Sequence, residues 1–237
     1  MLITDSRGKD LEPLLLKYNT RNYHWDIRVF PGATLQSIER KLAKYHAKAD
    51  IIIVLAGICN FTSKIRTRTR SSIEYKVRRT EETKTTINSI LDKFGRKTHI
   101  CTITPADLSK QPTPDTSSAE EQSNLLEDIE ATNTHIKDLN ITRDLPTIDI
   151  AINSYTKSLK KQGGKKKKII KFTSKDLPDG IHPSASLKDT WAKYLTKCTN
   201  NLADKLLRHD EPEPSTEETS SSDEENWDFK RPRFNKH

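Results

Sequence analysis

Residues 51–57 read Ile-Ile-Ile-Val-Leu-Ala-Gly, an unbroken run of apolar, mostly branched side chains closed by a glycine. A strand with one wet face alternates apolar and polar residues. This run does not, so it needs apolar cover on both faces, as the central strand of a parallel sheet has. Extended through Ile58 and Cys59 it is the longest apolar stretch in the chain. It still falls far short of the roughly 20 residues that cross a bilayer, which argues against membrane insertion.

Strands and helices alternate around this run. Residues 1–4 and 25–30 read as strands, and so does Thr-His-Ile-Cys-Thr-Ile-Thr-Pro at 98–105. Residues 9–19 read as a helix with Pro13 in its first turn. In residues 34–48, Leu35, Ile38, Leu42 and Tyr45 recur at helical spacing. Further helices are expected at 75–94, closed by Gly95, at 121–138, at 151–161, and from about 186 to 207. Residues 109–121 read as a loop. The alternation predicts an α/β three-layer sandwich with a mostly parallel, flavodoxin-like sheet. In such sheets the site forms on loops leaving the carboxyl ends of the strands.

Apolar residues make up only 32% of the 237 residues, and the shortfall is concentrated at the end. One folded domain is expected over 1–208, followed by a disordered acidic tail with a basic C-terminus over 209–237. The three cysteines, Cys59, Cys101 and Cys198, form no C-x-x-C pair. That spacing argues against a disulfide scaffold or a zinc site, and no metal or organic cofactor is implied. The opening residues carry too short an apolar run for a signal peptide, and an acid follows at once. An intracellular protein, cytoplasmic or nuclear, is expected.

Three loops stand at strand ends: Asp5-Ser6-Arg7-Gly8, Pro31-Gly32-Ala33-Thr34 and Ala56-Gly57-Ile58-Cys59-Asn60. A fourth, Asp179-Gly180-Ile181-His182-Pro183, comes late in the chain. On an irregular turn Asp179 can accept one ring proton of His182 and leave the other nitrogen as a base. If that loop lies beside the first strand, the base reaches Ser6. Attack on an ester carbonyl would then need donors for the oxyanion. The amides of Ser6 and Gly32 are candidates, with a side chain from the 56–60 loop as a third.

Together these blocks resemble the SGNH, or GDSL-type, hydrolase family over residues 1–205. Thr4-Asp5-Ser6-Arg7-Gly8 resembles the first block, and Pro31-Gly32 the second. Gly57-Ile58-Cys59-Asn60 resembles the third, and Asp179-Gly180-Ile181-His182-Pro183 the fifth. The resemblance implies a small doubly wound fold and a Ser6–His182–Asp179 triad. It also implies cleavage of esters, thioesters or acetyl groups on carbohydrates, so that a small acyl-bearing molecule is the expected substrate. Several retroelement-encoded proteins carry such domains, and this basic chain is similar to those. Thr4 stands where the first block has glycine, and by register Cys59 stands at the oxyanion asparagine. Either Asn60 turns inward to compensate, or oxyanion support is reduced, because a thiol is a weak donor. A catalytically weak or inactive binding or assembly protein on the same fold is the alternative.

Net charge is +8. Lys160, Lys161, Lys165, Lys166, Lys167, Lys168 and Lys171 form a basic patch suited to weak, salt-sensitive nucleic-acid binding or nuclear targeting. A second basic group, Lys64, Arg66, Arg68, Arg70, Arg78 and Arg79, follows the third block.

Overall fold

The computed structural model describes residues 1–21, 23–66, 71–76, 79–110, 119–162 and 165–209. Within these, residues 65–66, 71–72, 157–162, 165–171 and 208–209 are described by their backbone alone. The tail expected from residue 209 onward lies outside the described residues except for His209, which closes the last helix.

In chain order the elements are β1 (Leu2–Thr4), α1 (Glu12–Tyr18), β2 (Ile27–Val29), α2 (Leu35–Tyr45) and β3 (Ile52–Leu55). A short α3 (Ile58–Phe61), β4 (Thr62–Arg66), β5 (Ser71–Tyr75), α4 (Thr80–Phe94) and β6 (Thr98–Ile100) follow. Then come α5 (Ala119–Thr142), β7 (Tyr155–Gln162), β8 (Lys165–Phe172) and α6 (Ala185–His209). The main sheet runs β2-β1-β3-β6, and all its pairs are parallel. This is the expected three-layer α/β architecture.

Alternation along the strands sorts the core into two halves. Ile3, Ile52 and Val54 face one way and pack with Leu35, Ile38 and Leu42 of α2, Ile87, Ile90 and Leu91 of α4, and Leu125 and Ile129 of α5. Leu2, Ile53 and Leu55 face the other way and pack with Leu11 and Leu15 near α1 and with Leu187, Trp191 and Leu195 of α6. All four β3 residues are buried, as the unbroken apolar run requires. Local chemistry sets the helix ends. Pro13 sits in the first turn of α1, Thr34 Oγ1 accepts from the Ser37 amide at the start of α2, and Gly95 closes α4 with φ +66°.

Two helical expectations are corrected. The helix expected from residue 75 starts later: Tyr75 ends β5, which pairs antiparallel with β4, α4 begins at Thr80, and residues 77–78 lie outside the described residues. There Tyr75 donates its hydroxyl to Asp128, which ties the end of β5 to α5. The helix expected over 151–161 is also absent beyond one 3-10 turn. A 3-10 turn over Ile150–Ser154 leads into β7, which pairs antiparallel with β8 from Tyr155↔Phe172 to Gln162↔Lys165. The hairpin closes on an edge-to-face contact between Tyr155 and Phe172, 6.2 Å between ring centroids. Such cross-strand aromatic pairs stabilise sheets. The loop expected over 109–121 gives way to helix at Ala119, and residues 111–118 lie outside the described residues.

The segment that follows β6 belongs to no strand. Side-chain hydrogen bonds hold it where a sheet partner would otherwise be needed. Asn133 of α5 accepts from the Ile103 amide at 2.6 Å and donates to the Ile103 carbonyl at 2.9 Å. Gln122 donates to the Ala106 carbonyl and accepts from the Leu108 amide.

Candidate functional site

β1 is flanked by β2 and β3, so the three loops leaving their carboxyl ends converge. The chain leaves β1 through Asp5 into a single 3-10 turn, Ser6–Gly8. The Asp5 carboxylate caps that turn by accepting from the Arg7 amide at 2.9 Å. Asp5 and Arg7 are buried, while Ser6 on the same turn remains partly accessible.

The 179–182 loop meets this turn. Asp179 Oδ1 accepts from the amides of Ile181 and His182 at 2.9 and 2.7 Å, which folds the loop into a tight turn. Its other oxygen, Oδ2, lies 2.6 Å from His182 Nδ1. His182 Nε2 lies 3.1 Å from Ser6 Oγ. With the Nδ1 proton given to Asp179, Nε2 is left as an acceptor for the Ser6 hydroxyl. Burial raises the Asp179 pKa, but the hydrogen bonds from the His182 side chain and backbone outweigh it, and the net shift is downward. The carboxylate therefore stays ionised beside the imidazole at neutral pH.

Gly180 makes the turn possible. Its φ is +80°, and a Cβ there would fall 2.0 Å from the Asp107 carbonyl oxygen. The Asp107 amide donates to the Gly180 carbonyl at 2.7 Å, so the His182 loop is held against the segment after β6.

Gly32 lies in the Pro31-Gly32 turn after β2, with φ +72°. The Phe30 amide donates to the Thr4 carbonyl at 2.8 Å, which sets this turn beside the exit of β1. Cys59 lies in α3, the short helix that follows β3, and is partly buried. Burial, reinforced by the charge of Asp5, pushes its thiol up to about 11 against the opposing influence of Arg7 and Lys76. The Lys76 ammonium donates to the Cys59 carbonyl at 3.2 Å.

Asn60 takes the opposite direction from the compensation considered in the sequence. Its Oδ1 accepts from the Leu35 amide at 2.8 Å, and its Nδ2 donates to Gln36 Oε1 at 2.9 Å. The amide thus satisfies an open N–H at the start of α2 and does not turn to Ser6.

Arg7 joins this neighbourhood without any signal in the sequence pattern. Its guanidinium donates to the Thr104 carbonyl, to Thr104 Oγ1, and to the Pro105 carbonyl at 3.1 Å. A buried arginine is rarely legible from one sequence, because its acceptors lie far along the chain.

A polar groove of about 250 Å³ lies next to the 56–60 loop, lined among the described residues by Thr34, Gln36, Asn60, Lys76, Arg79 and Thr83, with Glu82. Arg79 thus comes to the groove, where it pairs with Glu82. Of the rest of its basic run, Lys64 and Arg66 fall on β4, while Arg68, Arg70 and Arg78 lie outside the described residues. The lysines of the larger patch fall on β7 and β8, where Lys160 is in register with Lys167 and Lys161 with Lys166. Among the described residues no cluster of three or more His, Cys, Asp or Glu side chains is arranged to hold a metal ion. No helix among them is long and apolar enough to cross a membrane.

No protein-family model and no curated protein matches this chain. Solved structures do match. A protein of the G-D-S-L lipolytic family from Desulfitobacterium hafniense aligns with a TM-score of 0.52 at 10% identity, over 83% of this chain and 98% of that one. A carbohydrate acetylesterase family member from Sinorhizobium meliloti aligns with a TM-score of 0.53 at 14% identity, over 86% and 98%. The C-terminal catalytic domain of peptidoglycan O-acetyltransferase A from Streptococcus pneumoniae aligns with a TM-score of 0.50 at 11% identity, over 88% and 93%. The chain therefore has the fold of the GDSL/SGNH-type hydrolases. At these identities the likeness is one of fold, and it does not bear on the retroelement resemblance.

Proposed function

We propose that this protein is a serine hydrolase that cleaves an ester or acetyl group. The observation that carries the reading is the hydrogen-bonded chain Ser6 Oγ–His182 Nε2, 3.1 Å, and His182 Nδ1–Asp179 Oδ2, 2.6 Å. It joins residues 176 positions apart at the carboxyl end of a central parallel strand. Both separations lie within the reach a nucleophile and its base require.

In this reading Ser6 Oγ attacks the acyl carbon while its proton passes to His182 Nε2. Asp179 holds the imidazole in the tautomer that accepts, and stabilises the imidazolium that forms. The carbonyl oxygen becomes an oxyanion, received by the amides of Ser6 and Gly32. Collapse breaks the bond to the leaving oxygen, which takes the proton from Nε2. Water then attacks the acyl-serine by the same route in reverse, releasing the acid and restoring Ser6.

The test is labelling with a fluorophosphonate, mapped by mass spectrometry, beside ester turnover by wild type, Ser6→Ala and His182→Ala. Labelling confined to Ser6, with turnover lost in both variants, is the expected result. Equal background turnover in all three folded proteins, with no label on Ser6, would overturn it.

A second reading is a binding protein on the same fold. It is favoured by Asn60, whose amide serves α2, and by Cys59, which leaves the third oxyanion position to a thiol. Its expected partner is nucleic acid, met by the lysines of the β7–β8 hairpin. Binding by those lysines would weaken as salt rises and would fall when they are replaced. Affinity that is unchanged by their replacement would remove this reading.

A further inference from the structure

We propose that Arg7 is a positioning residue, and that residues 103–108 are the template against which it sets Ser6 to face His182. The inference rests on the hydrolase reading for its catalytic consequence.

Ser6 and His182 have no direct covalent neighbourhood, yet each is tied to the same short segment. On one side Arg7, adjacent to Ser6, delivers its guanidinium to the carbonyls of Thr104 and Pro105 and to Thr104 Oγ1. On the other side the Asp107 amide donates to the Gly180 carbonyl, two residues before His182. Gly180 is packed so closely there that even a methyl group has no room. The segment itself is fixed from α5 by Asn133 at Ile103 and by Gln122 at Ala106 and Leu108. The nucleophile turn and the base loop are therefore both registered to one rigid reference.

The choice of arginine follows from the acceptors. The segment presents two carbonyls and a hydroxyl toward the turn, and a planar guanidinium satisfies several acceptors from one fixed plane. The side chain is buried, so its charge is costly unless it is paired; its two terminal nitrogens take all three acceptors, while Nε is buried without a partner among the described residues. Its field reaches Asp5, Cys59 and Asp179, which places it beneath the same cluster. Ser6 sits on a single 3-10 turn whose local ties are the Asp5 cap on the Arg7 amide and the Gly8 and Lys9 amides donated to the Asp5 and Ser6 carbonyls; the Arg7 side chain adds the tie to the segment after β6.

The variants are Arg7→Met, Arg7→Lys, Arg7→Ala and the milder Thr104→Val, which removes one acceptor and keeps the arginine. With folding checked by circular dichroism, Arg7→Met is expected to lower kcat and the rate of fluorophosphonate labelling at Ser6 by about 100-fold. KM should change by less than about threefold, since the group acts on alignment and not on uniform binding. Guanidinium ion at non-denaturing concentration is expected to restore part of the labelling rate of Arg7→Ala, and Thr104→Val to lose about tenfold. Folded Arg7→Lys and Thr104→Val proteins with wild-type kcat and labelling rate would overturn the proposal.

A readout free of turnover separates this proposal from the hydrolase reading. The imidazole 15N and 1H resonances of His182 report its contact with Ser6. If wild type turns over no ester, the hydrolase reading fails. The positioning role is still supported if Thr104→Val shifts those resonances, and it is overturned if they stay in place.

Discussion

A Cβ built on Gly8 would fall 2.2 Å from Thr4 Oγ1 and 2.6 Å from Thr4 Cβ, so the two residues share one space. Thr4 stands where the resembled first block carries glycine. Here the threonine side chain fills the gap, and its hydroxyl donates to the Leu55 carbonyl at 2.8 Å, tying β1 to β3. The missing side chain has moved four residues on, to Gly8. Gly8→Ala is therefore expected to destabilise the fold by about 1–3 kcal/mol through overpacking next to Ser6. Thr4→Gly removes the obstacle at its own cost. The double variant should be more stable than the sum of the single changes predicts by at least about 1 kcal/mol. Urea unfolding of the four proteins measures that coupling, and simple additivity would show that the contact is relieved some other way.

His99 gives the fold an acid sensitivity unrelated to the site. It lies buried in β6, and burial lowers its pKa to about 4. In the unfolded chain it titrates near its ordinary 6.5. Between those values the unfolded state binds a proton that the folded state refuses, so stability falls as pH falls from about 6.5 toward 4. A shift of that size corresponds to roughly 3 kcal/mol at pH 4. His99→Val is expected to flatten this part of the stability profile while leaving the Ser6 labelling rate unchanged. Unfolding midpoints measured from pH 7 to 4 check it; equal slopes in both proteins would mean that His99 takes up its proton without unfolding.

Cys59 and Asn60 separate two roles that lie side by side. The Cys59 thiol, pushed up to about 11, is neutral at pH 7. Its alkylation is expected to be slow there and to rise about tenfold per pH unit up to pH 10, because the thiolate is the reacting form. Cys59→Asn should raise the turnover of an ester by up to about 100-fold if it supplies the missing oxyanion donor. Asn60→Ala should instead cost about 1–3 kcal/mol of stability, since it leaves the Leu35 amide buried without an acceptor. Its labelling rate should stay within about threefold of wild type. The opposite pattern, loss of rate in Asn60→Ala with stability intact, would return the oxyanion role to Asn60.

The parts of the fold that were legible in the sequence are those set by local pattern. The apolar run before Gly57 marks a strand covered on both faces, and Leu35, Ile38 and Leu42 mark the buried side of α2. Asp179 and His182 were legible because a three-residue spacing on a glycine turn lets an acid reach its own histidine. The β7–β8 hairpin was not. Its lysine-rich strands lack apolar alternation, and Gly163-Gly164, a two-residue hairpin signal, also serves as a helix stop. Tyr75 was misread for a related reason: the residues before it carry little apolar period, and its partner Asp128 lies 53 positions away. Arg7 and Asn60 were out of reach on principle. Their polar side chains are buried by partners 97 and 25 positions distant, and no local spacing encodes those contacts.

Gly180 and Gly32 allow one test of what the His182 loop depends on. Both have positive φ, +80° and +72°, so alanine at either carries a similar backbone cost of about 1–2 kcal/mol. They differ in surroundings. Nothing lies within 4 Å of a Cβ on Gly32, whereas a Cβ on Gly180 would meet the Asp107 carbonyl oxygen at 2.0 Å. That oxygen is backbone, so the loop must move away and take with it the Asp107-to-Gly180 hydrogen bond and the 3.1 Å approach of His182 to Ser6. Gly180→Ala is therefore expected to lower Ser6 labelling by about 100-fold or more. Gly32→Ala should keep its amide in place and lose less than about tenfold, within the range of a strained turn alone. Labelling rates of both proteins, normalised to the folded fraction, check the contrast. Equal losses would mean that backbone strain, and not the contact with Asp107, governs the loop.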